Sequence, residues 1–331
     1  MRGRADHGTK SPRPEELPVS RARVAVCVVA LLASALLAAE APAEKPPEKP
    51  AAKAAAPPLP LHTLEGPSGV YLTQTAYIAN LPDDDRVMGK PAFAFSGVKI
   101  GRKDLESFTM STNFARRFEL SYSFQRLGLG DFPRAVKNAT GVQIDHSSLL
   151  HTLGLRAMVV REGEGVPGMP AITLGVLGKK NTEVNEMDND LGGALKTLGY
   201  NEDAGVDFTM MASKTFVGVL PKPFIVSAGF RNTSAIHGGF VGFGNERHTV
   251  FEGNAIFFLT GRLVFAAEYR QMPNELKKLG KVVREEDDWW SMAFAYVFNN
   301  NLTGTLGFAH LGSVLNHNEE FCPLAQLKWE F

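Results

Sequence analysis

The chain has 331 residues, and its 35 Lys and Arg balance its 35 Asp and Glu, so its formal net charge is zero. A neutral chain without a basic stripe interleaved with aromatics has no field for nucleic acid, and that class of partner is excluded. Glycine (32) and phenylalanine (22) are plentiful and cysteine (2) is nearly absent. This balance suits alternating strands with aromatic ends, and one of the two thiols, Cys27, lies in the leader, leaving Cys322 without a partner.

In chain order, a basic stretch ending at Arg23 precedes the uncharged run Val24–Ala39 and the small-residue site Ala41-Pro42-Ala43. These three parts predict a secretory signal over 1–43, since the run is shorter than the roughly 20 residues of a spanning helix. Residues 44–63 are rich in Pro, Ala and Lys and read as an extended linker. Residues 64–90 are too apolar for free linker, and 66–80 are expected to plug a lumen or to pair against a rim.

From Pro91 to Phe331 the pattern is strands. Phe118, Leu120, Tyr122 and Phe124 alternate with Glu119, Ser121, Ser123 and Gln125, and the same two-residue period recurs over 224–231 and 290–298. Twelve strands are predicted: 91–100, 105–113, 117–126, 146–161, 169–180, 205–217, 222–233, 246–258, 261–270, 287–299, 302–311 and 321–331. Most reach the roughly 9–11 residues that a tilted membrane strand needs. After the first hairpin, long and short connections alternate, as they do between the extracellular loops and periplasmic turns of an outer-membrane barrel. Aromatics on the apolar parity fall near strand ends. Phe118, Phe224, Tyr296, Phe298, Trp329 and Phe331 gather at one end, and Phe124, Phe230, Tyr269 and Trp290 at the other. The fold class expected is therefore an all-β, antiparallel, up-and-down transmembrane barrel of about 12 strands.

Several stretches resemble a bacterial family of outer-membrane-type proteins of unknown function, DUF3034. They include GPSGVYLTQTAYIAN (66–80), FELSYSFQRLGLGD (118–131), LGGALKTLGY (191–200), GVDFTMMASKTF (205–216), SAGFRNT (227–233), FEGNA (251–255), EYRQMP (268–273), EEDDWW (285–290) and LKWEF (327–331). The likeness is collinear over about 64–331. It implies a barrel and brings no activity and no catalytic residues. The opening PSG…TA segment is also similar, more loosely, to barrels associated with exopolysaccharide secretion. The alternating Leu327, Trp329 and terminal Phe331 resemble the signal by which barrel-assembly machinery takes up its clients. That machinery, outer-membrane lipid and lipopolysaccharide are the partners expected, with a small solute as a further candidate.

Inward parity places Glu119, Arg156, Arg231, Glu252, Glu268 and Arg270 in the lumen. A tight turn at 259–260 sets Glu252 diagonally beside Glu268, with Arg231 and Arg270 as neighbouring cations. Such a cluster is either a selectivity constriction or a salt-bridge network that fills a narrow barrel. His151 lies on the apolar parity between Leu149 and Leu153 with no Gly-x-Ser-x-Gly in the chain, so a lipid-hydrolysing site is the weaker reading. His248 and His310 lack metal-ligand spacing. Asp188-Asn189-Asp190 begins like a calcium loop, but Gly192 and Gly199 stand where oxygen ligands belong. Glu285, Glu286, Asp287 and Asp288 read as a solvated loop, and 187–198 as a short helix folding inward or capping the mouth. No metal or cofactor is expected, and no enzyme motif is complete. The leading functional expectation is a narrow outer-membrane channel or solute-uptake barrel. The alternatives are a plugged accessory barrel in envelope assembly or polysaccharide export, and a lipid-modifying barrel enzyme.

Overall fold

The computed structural model describes residues 62–79, 81–82, 86–274, 286–315 and 317–331. The signal expected over 1–43, nearly all of the linker and Glu285 lie outside the described residues.

Alternating side chains give each strand one face toward the lumen and one outward, and closure of the sheet leaves no edge with unpaired backbone groups. Eleven strands follow in order: β1 (Ala92–Ile100), β2 (Lys103–Phe114), β3 (Phe118–Gly128), β4 (Ser147–Val160), β5 (Ala171–Asn181), β6 (Ala204–Phe216), β7 (Phe224–Ala235), β8 (Phe243–Phe258), β9 (Leu263–Arg270), β10 (Trp289–Val297) and β11 (Leu302–His310). A small separate hairpin, β12 (Gly312–Val314) and β13 (His317–Glu319), precedes the last strand, β14 (Cys322–Glu330). Every neighbour in the ring is antiparallel, and β14 pairs with both β11 and β1 to close it. The chain is a closed, twelve-stranded antiparallel β-barrel. Its strands fall within a few residues of those predicted. The β12–β13 hairpin was not anticipated, because three-residue strands carry too few alternations to show a period.

One end of the barrel carries the turns 115–117, 161–170, 217–223, 259–262 and 298–301. The other carries the longer loops, including 129–146 with helix α1 (Phe132–Thr140), 182–203 with α2 (Val184–Asp190) and α3 (Ala194–Leu198), and 271–288. The inward reading of 187–198 is what the loop does, as two helices rather than one. Val184, Met187 and Leu195 enter the same apolar cluster as inward-facing Val98, Ile100, Leu105 and Leu127, together with Phe132 and Val136 of α1. The long-loop end of the lumen is therefore largely apolar.

Outward faces are apolar, with Phe95, Leu120, Leu153, Val176, Phe208, Phe294 and Leu306 all exposed. At the short-turn end, rings stack from strand to strand: Phe216 on Phe224, Phe224 on Phe257 and Phe257 on Phe265, with Phe294 tilted against Phe265. Phe331 sits edge-on to Phe93 and Trp329. Phe224 and Tyr269, expected at the lipid-facing girdles, are buried by these neighbouring contacts, and the Tyr269 hydroxyl donates to Asp288.

Candidate functional site: the filled lumen

The inner wall is polar over most of its height, with Ser107, Thr109, Ser121, Thr173, Ser213 and Asn254 among its buried side chains. Residues 62–79 occupy the space they enclose, and all of 62–76 are buried. The segment folds on itself through Leu64 N–H to Tyr71 O, Val70 N–H to Thr73 O and Thr75 N–H to Ser68 O. Glycine is required at its tightest point, because a Cβ on Gly69 would lie 2.2 Å from the Thr73 carbonyl oxygen. His62 and Thr63, read from composition as linker, belong to this plug: the His62 ring bonds Thr109 Oγ1 at 2.8 Å and Ser111 Oγ at 3.0 Å. Composition cannot reveal partners that lie in another part of the chain.

Wall and plug exchange polar groups in both directions. Glu268 accepts from the backbone N–H groups of Leu72 (2.8 Å) and Thr73 (2.7 Å), more distantly from Tyr71 (3.2 Å), and from the hydroxyls of Thr73 and Ser291. Glu119 accepts from Ser68 N–H at 2.9 Å and Ser68 Oγ at 2.6 Å, and pairs with Arg156. Arg156 in turn donates to the Thr75 carbonyl at 2.7 Å, and Arg270 to the Leu72 carbonyl. In the other direction the plug supplies Glu65. One of its oxygens lies 2.7 Å from Lys179 Nζ, and the other lies 2.7 Å from Arg231 and 3.2 Å from Arg270. Two wall carboxylates complete this cluster. Asp207 is 2.8 Å from both Lys179 and Arg231, and Glu252 is 2.6 Å from Arg231 and 2.8 Å from Arg270. Buried charges of this kind persist only when paired; alternating sign pairs each of them, while Asp207 Oδ1 and Glu252 Oε2 keep no hydrogen-bond partner among the described residues.

All six charged residues predicted for the lumen are buried inside the barrel, and Glu252 lies directly opposite Arg270 on the neighbouring strand. Arg231, Glu252 and Arg270 come together, Glu119 and Arg156 form a separate pair, and Glu268 engages plug backbone rather than a cation. Sequence reasoning missed Glu65, Lys179 and Asp207. Inward parity held the signal for Lys179 and Asp207, but both lie near strand ends, and Glu65 precedes the first strand.

Above the plug lies a partly open cavity of about 50 Å³. Leu64, Tyr71 and Leu72 of the plug line it, with Val98, Leu105, Leu127 and Trp289 of the wall and His237 and Phe240 of the 236–242 loop. Burial and the nearby Lys103 ammonium push His237 down to about 4. The Glu286 carboxylate lies 3.5 Å from its Nδ1. Far from being a solvated acidic run, Glu286 accepts from His237 N–H, and Asp288 accepts from Met272 N–H.

The remaining candidates sit elsewhere. His151 faces outward, with its ring 5.2 Å from that of Phe124 and its Nδ1 2.8 Å from the Tyr122 hydroxyl. His310 stacks on Trp290 at 5.4 Å, and His248 is half-buried on β8. Asp188 accepts from the Lys196 N–H within the α2–α3 turn. Among the described residues, Asp145, Glu183 and Glu186 bring carboxylate oxygens within 4.8 Å of one another, a mostly exposed group that carries no metal assignment by itself. Leu327, Trp329 and Phe331 lie exposed on one outward row of the closing strand.

The family model described as "Protein of unknown function (DUF3034)" matches residues 60–322. The chain belongs to DUF3034. No curated protein matches it. Among solved structures, this DUF3034 chain is similar to the KdgM porin, with TM-score 0.43 and 8% identity over 72% of this chain and 99% of the porin. It is likewise similar to the NanC porin, with TM-score 0.43 and 6% identity over 73% and 98% of the two chains. Omp33 of Acinetobacter baumannii gives TM-score 0.38 and 8% identity over 74% and 99%.

Proposed function

We propose that this chain is a solute channel of the bacterial outer membrane, held shut by residues 62–79 and opened when that segment leaves the lumen. One observation supports the reading above others: below the apolar cluster that takes in Leu64, Val70, Tyr71 and Leu72, the plug meets the wall through hydrogen bonds and ion pairs. That polar part of the wall can be rewetted, so withdrawal of the plug there exchanges protein partners for water. In this orientation the short turns and both strand termini face the periplasm, and the longer loops face the cell exterior.

Planar-bilayer recording of the full chain tests the proposal. The wild type is expected to rest closed with rare openings, and a chain with a loosened plug, Glu268→Ala, to open in discrete steps. If hydrogen exchange shows the plug released in that variant while the bilayer stays silent, the channel reading gives way to the permanently plugged accessory barrel.

A further inference from the structure

Five neighbouring strands carry one row of buried charge across the inner wall: Lys179 on β5, Asp207 on β6, Arg231 on β7, Glu252 on β8 and Arg270 on β9. The signs alternate, and a row of five that begins and ends with a cation holds three positive charges against two negative ones. Asp207 bridges Lys179 and Arg231, and Glu252 bridges Arg231 and Arg270, so each wall carboxylate is already shared between two cations. The third negative charge comes from outside the wall, from Glu65 of the plug. Its two oxygens are both engaged, one by Lys179 and the other by Arg231 and Arg270. All six side chains are at most 7% exposed, so in the closed state the three cations depend on these three carboxylates for neutralisation.

We propose that Lys179, Arg231 and Arg270 form a carboxylate-binding site in the lumen, which Glu65 fills in the closed state as a built-in stand-in for an anionic solute. This rests on the channel reading for its role in transport, although the site itself does not require conduction. When the plug withdraws, the row keeps one positive charge in excess among the described residues, in a narrow bore lined by hydrogen-bonding groups. Guanidinium groups suit the planar, two-oxygen geometry of a carboxylate, and the Lys179 ammonium adds a point charge at one side. The cavity above is bounded by Glu65 and Arg270 on its polar side and by Leu64 and Leu72 of the plug, which leave together with Glu65. The solute class is thus a carboxylate whose apolar part takes the space those leucines vacate.

Chemical rescue in the full-length chain tests the site. Glu65→Ala removes one carboxymethyl group and leaves the rest of the plug, so acetate is the matching probe. Amide exchange across 62–79 is expected to speed up at least about tenfold in Glu65→Ala. Sodium acetate should restore protection along a saturable curve, while acetamide and sodium chloride at equal concentration should not. No restoration by acetate, or equal restoration by chloride, overturns the site. Should Glu65→Ala fail to fold, Glu65→Gln serves in bilayers. Its openings should be blocked by acetate more strongly than by equal chloride, and openings indifferent to acetate overturn the site in that variant. Rescue by acetate in a chain that never conducts leaves the site standing and removes the channel. Conduction without rescue does the reverse.

Discussion

Glu268→Ala is the sharpest probe of how the plug is held. In the native structure its carboxylate receives three consecutive plug amides, those of Tyr71, Leu72 and Thr73, plus the Thr73 hydroxyl. Alanine leaves those buried donors without an acceptor. Each orphaned donor costs about 1 kcal/mol or more, so the three amides set a floor of about 3 kcal/mol. Single substitutions rarely cost more than about 5 kcal/mol, which sets the ceiling. At roughly 1.4 kcal/mol per tenfold, the docked-to-undocked ratio of the plug falls by about 10²- to 4 × 10³-fold. The strand ladder β8–β9–β10 is backbone to backbone and does not depend on this side chain. Hydrogen exchange at residues 68–75 should therefore rise by that factor, while the heat-dependent gel shift of the folded barrel stays in place. Glu268→Gln, which keeps one acceptor oxygen but turns N–H groups toward N–H groups, should fall between the two. Wild-type protection at residues 68–75 in Glu268→Ala would refute the account of what anchors the plug.

Three further outcomes are expected. Deleting Phe331 removes an outward aromatic at the end of the closing strand, and should slow insertion in cells while leaving refolding in detergent nearly normal; equal slowing in both assays would make it a packing residue rather than an assembly signal. Because His237 is held at about 4 against about 6.5 in an unfolded chain, its contribution is fully present above pH 6.5. It is lost as pH falls from 6.5 toward 4, by about 3 kcal/mol in all, and His237→Gln should flatten this window in loop-protection measurements. Epitope tags after Asn189 should be reachable on intact cells and tags after Thr260 should not, with labelling at Thr260 reversing the assigned orientation.

The strands were legible because their information is local. Phe118–Gln125 announces two faces without reference to any other segment, and the long and short connections announce which ends are joined tightly. Inward parity alone also placed Arg231, Glu252 and Arg270 on the inner wall, since β8 and β9 pair in the register that their turn imposes. What parity could not show is what fills the space between walls. The apolar character of 64–90 points to a plug or rim segment, but Glu65 meets Lys179, Arg231 and Arg270 far along the chain, and nothing near it in sequence names those partners. The same holds for Glu268, whose partners are backbone amides and so carry no residue identity to read.

The places where the plug is tied have a mechanical consequence. In the ring order, β3 and β9 stand on opposite sides of the barrel, six strands apart in either direction. Ser68 is tied to Glu119 on β3, and Leu72 and Thr73 are tied to Glu268 on β9. The few residues between them span the bore as a strut. A hydrogen-bonded ring alone fixes its circumference but leaves its cross-section free to flatten into an oval; a crosspiece anchored at both ends of one diameter removes that freedom. The segment that fills the barrel therefore also keeps it round.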